Sequence, residues 1–325
     1  MIYALLIAIL SLAALSSRFR RGYGVSILIP FRCSDPSSPR MRNVEWLKRY
    51  WAAQLPGAEI VIGDDPVTEG PFSKSEAVNN AASRATGDVF VIVDADGYVP
   101  ADVVLYCAKE IRHARRMGYK LWFVPYRKFY RLTEKASRIL LESDPALPYR
   151  FSSPPPADFV LGDTDPGVGH WYGAMIQIVP REAFELVGGW DVRFRGWGGE
   201  DHAAMRAMDT LYGLHKTLPS QVLHLWHPQI GSQGIQDWVH WNERVWENQP
   251  EFGVNNKLSH RYYAAQGKPQ MMRKLVDEGH HEHHEHHEHH EHHEHHKHHK
   301  HKHHKHHHKH HRHHHHHHHH HRPSV

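Results

Sequence analysis

Apolar and polar positions come in blocks along the first half of the chain, and the blocks alternate between two periods. Val25-Ser26-Ile27-Leu28-Ile29-Pro30 is a short apolar run of the kind buried on both faces of a sheet. From about Asn43 to Gln54 the apolar residues Val44, Leu47 and Trp51 recur at helical spacing, followed by Leu55, and Pro56-Gly57 stops the run. Ala58 to Gly63 predicts a second strand. Ser73-Lys74-Ser75-Glu76 has the form of a capping box and opens a helix that reaches about Arg84. Asp88 to Gly97 holds the most apolar strand, Val89 to Val93, in which four of five residues are β-branched. Pro100 to Met117 then predicts a helix and Leu121 to Pro125 a strand. This alternation implies an α/β domain built on a doubly wound, mostly parallel sheet flanked by helices, with right-handed crossovers.

The second half is less regular. Periodicity fades from Tyr126 to Gly169, where Pro145, Pro148 and Pro154-Pro155-Pro156 predict a long irregular segment suited to a lid or binding loop. Gly173 to Pro180 returns to strand, Arg181 to Val187 reads as a short helix, and Asp191 to Gly199 as a loop. Glu200 to Tyr212 predicts a helix, Gln221 to His227 a strand, and about Gln236 to Glu247 an amphipathic helix. The main domain therefore spans 22–250, and 251–279 reads as a polar linker.

Both ends differ from this body. Ile2 to Leu15 is almost wholly apolar and Arg18, Arg20 and Arg21 follow at once, so residues 1–21 read as an N-terminal apolar helix that anchors the chain to a membrane. The basic cluster on its carboxyl side then places the body in the cytoplasm. A signal-like segment or a peripheral apolar helix is the alternative. Residues 280–325 hold 31 of the 39 His, in His-His-Glu and then His-His-Lys repeats. With almost nothing apolar to bury, this tail is expected to be disordered. Its imidazoles suit Zn2+, Ni2+ or Cu2+, or the tail is a low-complexity expansion without a role.

Without the tail, Lys and Arg number 32 against 30 Asp and Glu, a balance that gives no reason to expect nucleic acid as a partner. Cys33 and Cys107 are the only cysteines, which excludes a disulfide scaffold. The 10 Trp and 13 Tyr suit sites for sugars as well as ordinary core filling.

Three stretches carry candidate chemistry. Asp94 and Asp96 sit one residue apart at the carboxyl end of the central strand, where open α/β sheets place their ligands, and their oxygens suit a hard ion such as Mg2+ or Mn2+. Gly196-Trp197-Gly198-Gly199-Glu200-Asp201 presents an indole beside two carboxylates at a helix start, an arrangement able to bind a sugar and take a proton from its hydroxyl. His224 and His227 lie on the last strand at a spacing that permits metal ligation, although a lone strand His is more often structural.

Taken with Ile29-Pro30-Phe31-Arg32, Phe72 to Asn79 and Tyr172-Gly173, these stretches resemble the ordered motifs of nucleotide-sugar glycosyltransferases of the GT-A (Rossmann-like) fold. The similarity is to family 2 enzymes whose carboxyl-terminal half is like that of the β-1,4-galactosyltransferases. It runs over roughly residues 25 to 230. The resemblance implies that Pro30, Phe31 and Arg32 contact the nucleotide of a UDP-sugar, with Asp64 or Asp65 near the uridine and Lys74 on the phosphate side. It implies that Asp96, with Asp94 beside it, holds Mn2+ or Mg2+, that His224 is a further ligand with His227 as fallback, and that Trp197 stacks on a sugar. Glu200 would bind sugar hydroxyls and Asp201 would act as base in an inverting transfer to a glycan, lipid or protein acceptor. Two departures stand out: Gln221 replaces a softer ligand of the galactosyltransferases and His202 replaces a second acceptor-binding acid. A retaining transferase, a metal-buffering His-rich protein on a passive scaffold and a nucleotidyltransferase are the competing readings.

Overall fold

The structure is a computed structural model that describes residues 24–33, 35–65, 71–161, 175–196, 198–228 and 250–279. The apolar segment 1–21, Tyr172-Gly173, Trp197, the helix expected at 236–247 and the His-rich tail lie outside the described residues.

The expected strands and helices of the first half form where the pattern places them. Strand β1 (Val25–Pro30) is buried along its whole length. Helix α1 (Pro39–Gln54) starts on Ser38, whose hydroxyl accepts from the Met41 N–H, with Pro39 in the first turn. Strand β2 (Glu59–Gly63) follows, and then helix α2 (Lys74–Arg84), capped by the Ser73 hydroxyl on the Glu76 N–H. The Ser73 N–H donates to Asp65 at 2.9 Å, the bond that a capping box gives to its glutamate. Residue 63 has to be glycine, because a Cβ there would overlap the Ala77 carbonyl of α2. Strand β3 (Val89–Val93) is buried throughout, and β4 (Gly97–Tyr98) follows within four residues. Helix α3 (Ala101–Arg116) and strand β5 (Phe123–Val124) complete this half.

The main sheet has the order β2-β1-β3-β7-β5-β8, with β7 (Ile176–Pro180) and β8 (Lys216–Thr217). Strand β1 pairs in parallel with β2 and β3, and β5 with β8, whereas β7 runs antiparallel to both β3 and β5. The sheet is therefore mixed, parallel in three of its five strand pairs, and β7 is the strand that departs from the parallel winding. Strand direction depends on the route of the chain between strands, and the apolar pattern of a buried strand is the same in either direction.

The segment expected to be irregular carries structure of its own. Residues 126–161 contain β6 (Lys128–Arg131) and helix α4 (Glu134–Glu142), whose N-terminus is capped by the Thr133 hydroxyl on the Ala136 N–H. Strand β6 belongs to a second sheet of order β4-β9-β6, in which β9 (Gln221–His224) pairs antiparallel with β4 and parallel with β6. The strand expected over 221–227 thus ends at His224 and joins this small sheet instead of the main one.

The carboxyl-terminal part differs most from expectation. Helix α5 (Arg181–Leu186) and helix α6 (Glu200–Leu211) form as read. Residues 251–279, read as a polar linker, form helix α7 (Pro250–Ala265) and a further helix α8 over 269–279. Leu258, Tyr262, Ala265, Met272, Leu275 and Val276 are buried there and join the core. These apolar residues are sparse among Lys, Arg and Gln, so the stripe is narrow and the sequence reads as polar on average. Among the described residues no helix is long and apolar enough to cross a membrane.

Candidate active site

The two sheets meet where β3 ends. Asp94, Ala95 and Asp96 link β3 to β4, and β4 is paired through Gly97 to His224 on β9. The Leu225 N–H donates to the Asp96 carbonyl at 2.6 Å, and the Trp226 N–H donates to the Ser137 hydroxyl of α4 at 2.7 Å. Asn43 of α1 donates its side-chain amide to the Trp226 carbonyl at 3.1 Å. Backbone pairing therefore fixes where residues 224 to 227 lie relative to Asp96, although well over a hundred residues separate them in sequence.

The side chains of Asp96, His224 and His227 come together there, with one ligating atom from each lying within 4.8 Å of the others. His227 Nε2 is 3.1 Å from Asp96 Oδ2 and His224 Nε2 is 3.8 Å from Asp96 Oδ1. Donors about 2.1 Å from one ion lie about 3 to 4 Å apart, so both distances fit a shared cation. His227 Nδ1 is 2.9 Å from the Pro228 carbonyl. Burial would lower the His227 imidazole, but the Asp96 carboxylate outweighs it and raises the group, so without a cation Nε2 holds a proton toward Asp96 that a bound ion would displace. Burial pushes the His224 imidazole down to about 4, so this ring is neutral near pH 7. Burial alone would raise Asp96, but His224, His227 and Arg40 outweigh it and hold the carboxyl well below the usual range. Once His227 has given up its proton, two imidazoles and one ionised carboxylate make a donor set that accepts a divalent transition ion.

Asp94 faces a different set of groups. Its Oδ1 lies 2.6 Å from Lys74 Nζ, and the same ammonium is 3.6 Å from Glu200 Oε1 and 3.8 Å from Asp201 Oδ2. The Asp94 carboxylate thus lies against Lys74 and is not one of the three clustered ligands, and Lys74, expected on the phosphate side, is held among carboxylates. The Lys74 ammonium also sits 5.4 Å from the centre of the Trp190 ring. One cation among three carboxylates, Glu200 and Asp201 buried and Asp94 partly so, divides their charges unequally. Burial and the charge of Asp201 raise Glu200 to about 7, and burial raises Asp94 to about 6. Burial would also raise Asp201, but His202 and Lys74 more than offset it and keep that carboxyl ionised. Glu200 Oε2 is buried with no hydrogen-bond partner among the described residues.

The loop carrying Glu200 and Asp201 is held from both sides. Asn79 of α2 accepts from the Trp190 N–H and donates to the Trp190 carbonyl, both at 2.8 Å. Asn255 of α7 does the same for Arg195, accepting from its N–H at 3.3 Å and donating to its carbonyl at 2.7 Å. Gly196, Gly198 and Gly199 all have positive φ, and a Cβ at Gly199 would press on Phe194 and on Ser259 of α7. Gln177 of β7 donates to the Asp201 carbonyl at 3.1 Å. Asn255 and Gln177 carry no chemistry-bearing pattern, and a side-chain amide on a buried helix face or strand is the only signal the sequence offers for either.

The remaining expected residues lie at the end of β1. The Phe31 N–H donates to the Gly63 carbonyl, and Arg32 lies 3.5 Å from Asp65 and over the Phe72 ring at 5.4 Å. Pro30 is buried as the last residue of β1. Asp65 is buried and spends one oxygen on the Ser73 N–H, whereas Asp64 is exposed. His202 holds its Nδ1 3.4 Å from Asp201, and Gln221 sits at the opposite end of β9 from His224, its amide on the Ser152 carbonyl at 3.3 Å.

Residues 67–176 match the family model described as glycosyl transferase family 2, about a third of the chain, a stretch that includes Lys74, Asp94 and Asp96. No curated protein matches the chain. Among solved structures, it is similar to the catalytic domain of Drosophila beta1,4galactosyltransferase 7 complexed with xylobiose, at 15% identity over 64% of this chain and 73% of that one, with a TM-score of 0.37. It is similar to GalNAc-T7 with UDP, GalNAc and Mn2+ at 16% identity over 78% and 54%, with a TM-score of 0.40. A third likeness is glucosyl-3-phosphoglycerate synthase from Mycobacterium tuberculosis with Mn2+, UDP-glucose and phosphoglyceric acid, at 10% identity over 75% and 79%, with a TM-score of 0.38.

Proposed function

We propose that this chain, which carries a glycosyl transferase family 2 segment, moves a sugar from a UDP-sugar to an acceptor hydroxyl with inversion at the anomeric carbon. The observation that carries this reading is the fork at the end of β3. Asp96 turns to the imidazoles of His224 and His227, while Asp94, two residues back, is joined through Lys74 to Glu200 and Asp201. A cation site and a proton-accepting site therefore share one short piece of chain.

When bound by Asp96, His224 and His227, a divalent ion supplies positive charge against the departing diphosphate. The two imidazoles favour Mn2+ over Mg2+, whose preference is for oxygen. Asp201 is ionised and accepts the proton of the attacking hydroxyl. Glu200, raised to about 7, keeps its proton over much of the neutral range and donates a hydrogen bond to a sugar hydroxyl. Lys74 holds the three carboxylates together and offsets part of their charge. Trp197, between two glycines, is assigned to stacking on the sugar. A galactose or N-acetylgalactosamine donor, and a glycan, lipid or protein acceptor, complete the reading, as do a membrane anchor at 1–21, a cytoplasmic body and a tail that takes up Zn2+, Ni2+ or Cu2+. These last assignments come from the sequence and the resemblance stated for it.

The test is a panel of UDP-sugars incubated with the protein with and without Mn2+. Donor turnover is expected to require the ion, and Asp201→Asn to lower kcat by about 10²- to 10⁴-fold with UDP affinity unchanged. Equal loss of UDP affinity rejects Asp201 as the base. A product of the donor's own anomeric configuration selects the retaining alternative.

A further inference from the structure

Arg40 lies in the first turn of α1, a turn that contains no acidic residue. A cation is disfavoured there, because the exposed N–H groups of a helix start already favour negative charge. Its Nη2 is 3.9 Å from Asp96 Oδ2, too far for a hydrogen bond, and its Nε is buried with no hydrogen-bond partner among the described residues. The guanidinium is thus drawn to the metal-binding corner without being locked by what is there. Asp96 is already engaged by His227 and His224, and it also attracts Arg131, which stands beside His224 in the β6–β9 register.

A single carboxylate cannot serve all these groups once a cation takes it. A divalent ion, Asp96, two neutral imidazoles and Arg40 together hold a surplus of roughly two positive charges, before Arg131 is considered. Such a surplus in a half-buried corner is stable only with an anion of similar charge, and a sugar-nucleotide diphosphate carries about two negative charges. Arg40 also brings the forked donor geometry that phosphate oxygens accept.

We propose that Arg40 is a diphosphate-binding residue, which together with the first turn of α1 closes the anion site beside Asp96, His224 and His227. This rests on the donor reading above and assigns to Arg40 a phosphate-side role that the resemblance gives to Lys74, which the structure instead holds among carboxylates.

The experiment measures retention of UDP, pyrophosphate and uridine by the full chain in equilibrium dialysis at saturating Mn2+, for the wild type, Arg40→Gln and Arg40→Lys. Arg40→Gln is expected to weaken UDP and pyrophosphate by roughly ten- to a hundredfold and to leave uridine unchanged, with Arg40→Lys between the two. Unchanged UDP retention in Arg40→Gln overturns the assignment while leaving the donor reading intact. A parallel loss of uridine also overturns it, because that marks a merely structural role for the α1 start. Arginine-dependent retention of pyrophosphate without any retention of UDP upholds the anion site and rejects the UDP donor. A wild type that retains neither probe with Mn2+ rejects both.

Discussion

Asp94 and Asp96 are one residue apart and differ in almost every physical respect. Asp96 is held low by two imidazoles and Arg40, and Asp94 is raised to about 6 by burial although Lys74 touches it. The Asp-x-Asp spacing was visible in the sequence, as were His224, His227, Glu200 and Asp201. What the spacing does not contain is which carboxylate turns to which neighbours, because that depends on Lys74 and His227 arriving from other elements. Glu200 yields a test at this scale. Its folded value of about 7 lies above the ordinary 4.5, so the folded state holds that proton more tightly than the unfolded chain does. Stability from this group is complete below about 4.5 and is lost as pH rises toward 7, and Asp94 acts with the same sign up to about 6. Glu200→Gln removes the Glu200 share of that loss. In thermal melts with chelator present, the variant is expected to gain Tm relative to wild type progressively between pH 5 and 8. A Tm difference that stays constant over this range contradicts the raised value.

Helices and loops show where a hydrophobic pattern is informative and where it is not. Strand β3 and helices α2 and α3 follow from runs and periods that any window detects. Helix α4 was hidden by the prolines around it, and α7 and α8 by a narrow apolar stripe in a polar background. Yet α7 matters to the site, because Asn255 grips Arg195 just before the glycines that lead to Glu200 and Asp201, as Asn79 grips Trp190 at the loop's other end. Asn255→Ala removes both bonds and leaves a half-buried backbone N–H and carbonyl of Arg195 without them, at a cost of about 1 to 3 kcal/mol. Transfer assays should show kcat reduced with UDP affinity retained, since the loop carries Asp201, the proposed base, and the corner of Asp96, His224 and His227 is built from other elements. Unchanged kcat would mean that α7 does not position this loop.

At the scale of the molecule, function depends on two sheets meeting at one edge. The main sheet delivers Asp94 and Asp96 at the end of β3, and the small sheet delivers His224 through β9. The α/β alternation announced the first sheet, while the second joins short strands from three distant parts of the chain, each too short to register as a period of its own. Reversal of β7 places Gln177 under the Asp201 backbone and so ties the carboxylate loop to the same sheet. The most direct measurement is the anomalous scattering of a crystal soaked with Mn2+ and UDP. A peak is expected about 2.2 Å from Asp96, His224 and His227, with the diphosphate of UDP on its open side. A well-occupied Mn2+ peak away from those three side chains, with UDP bound beside it, would contradict this assignment.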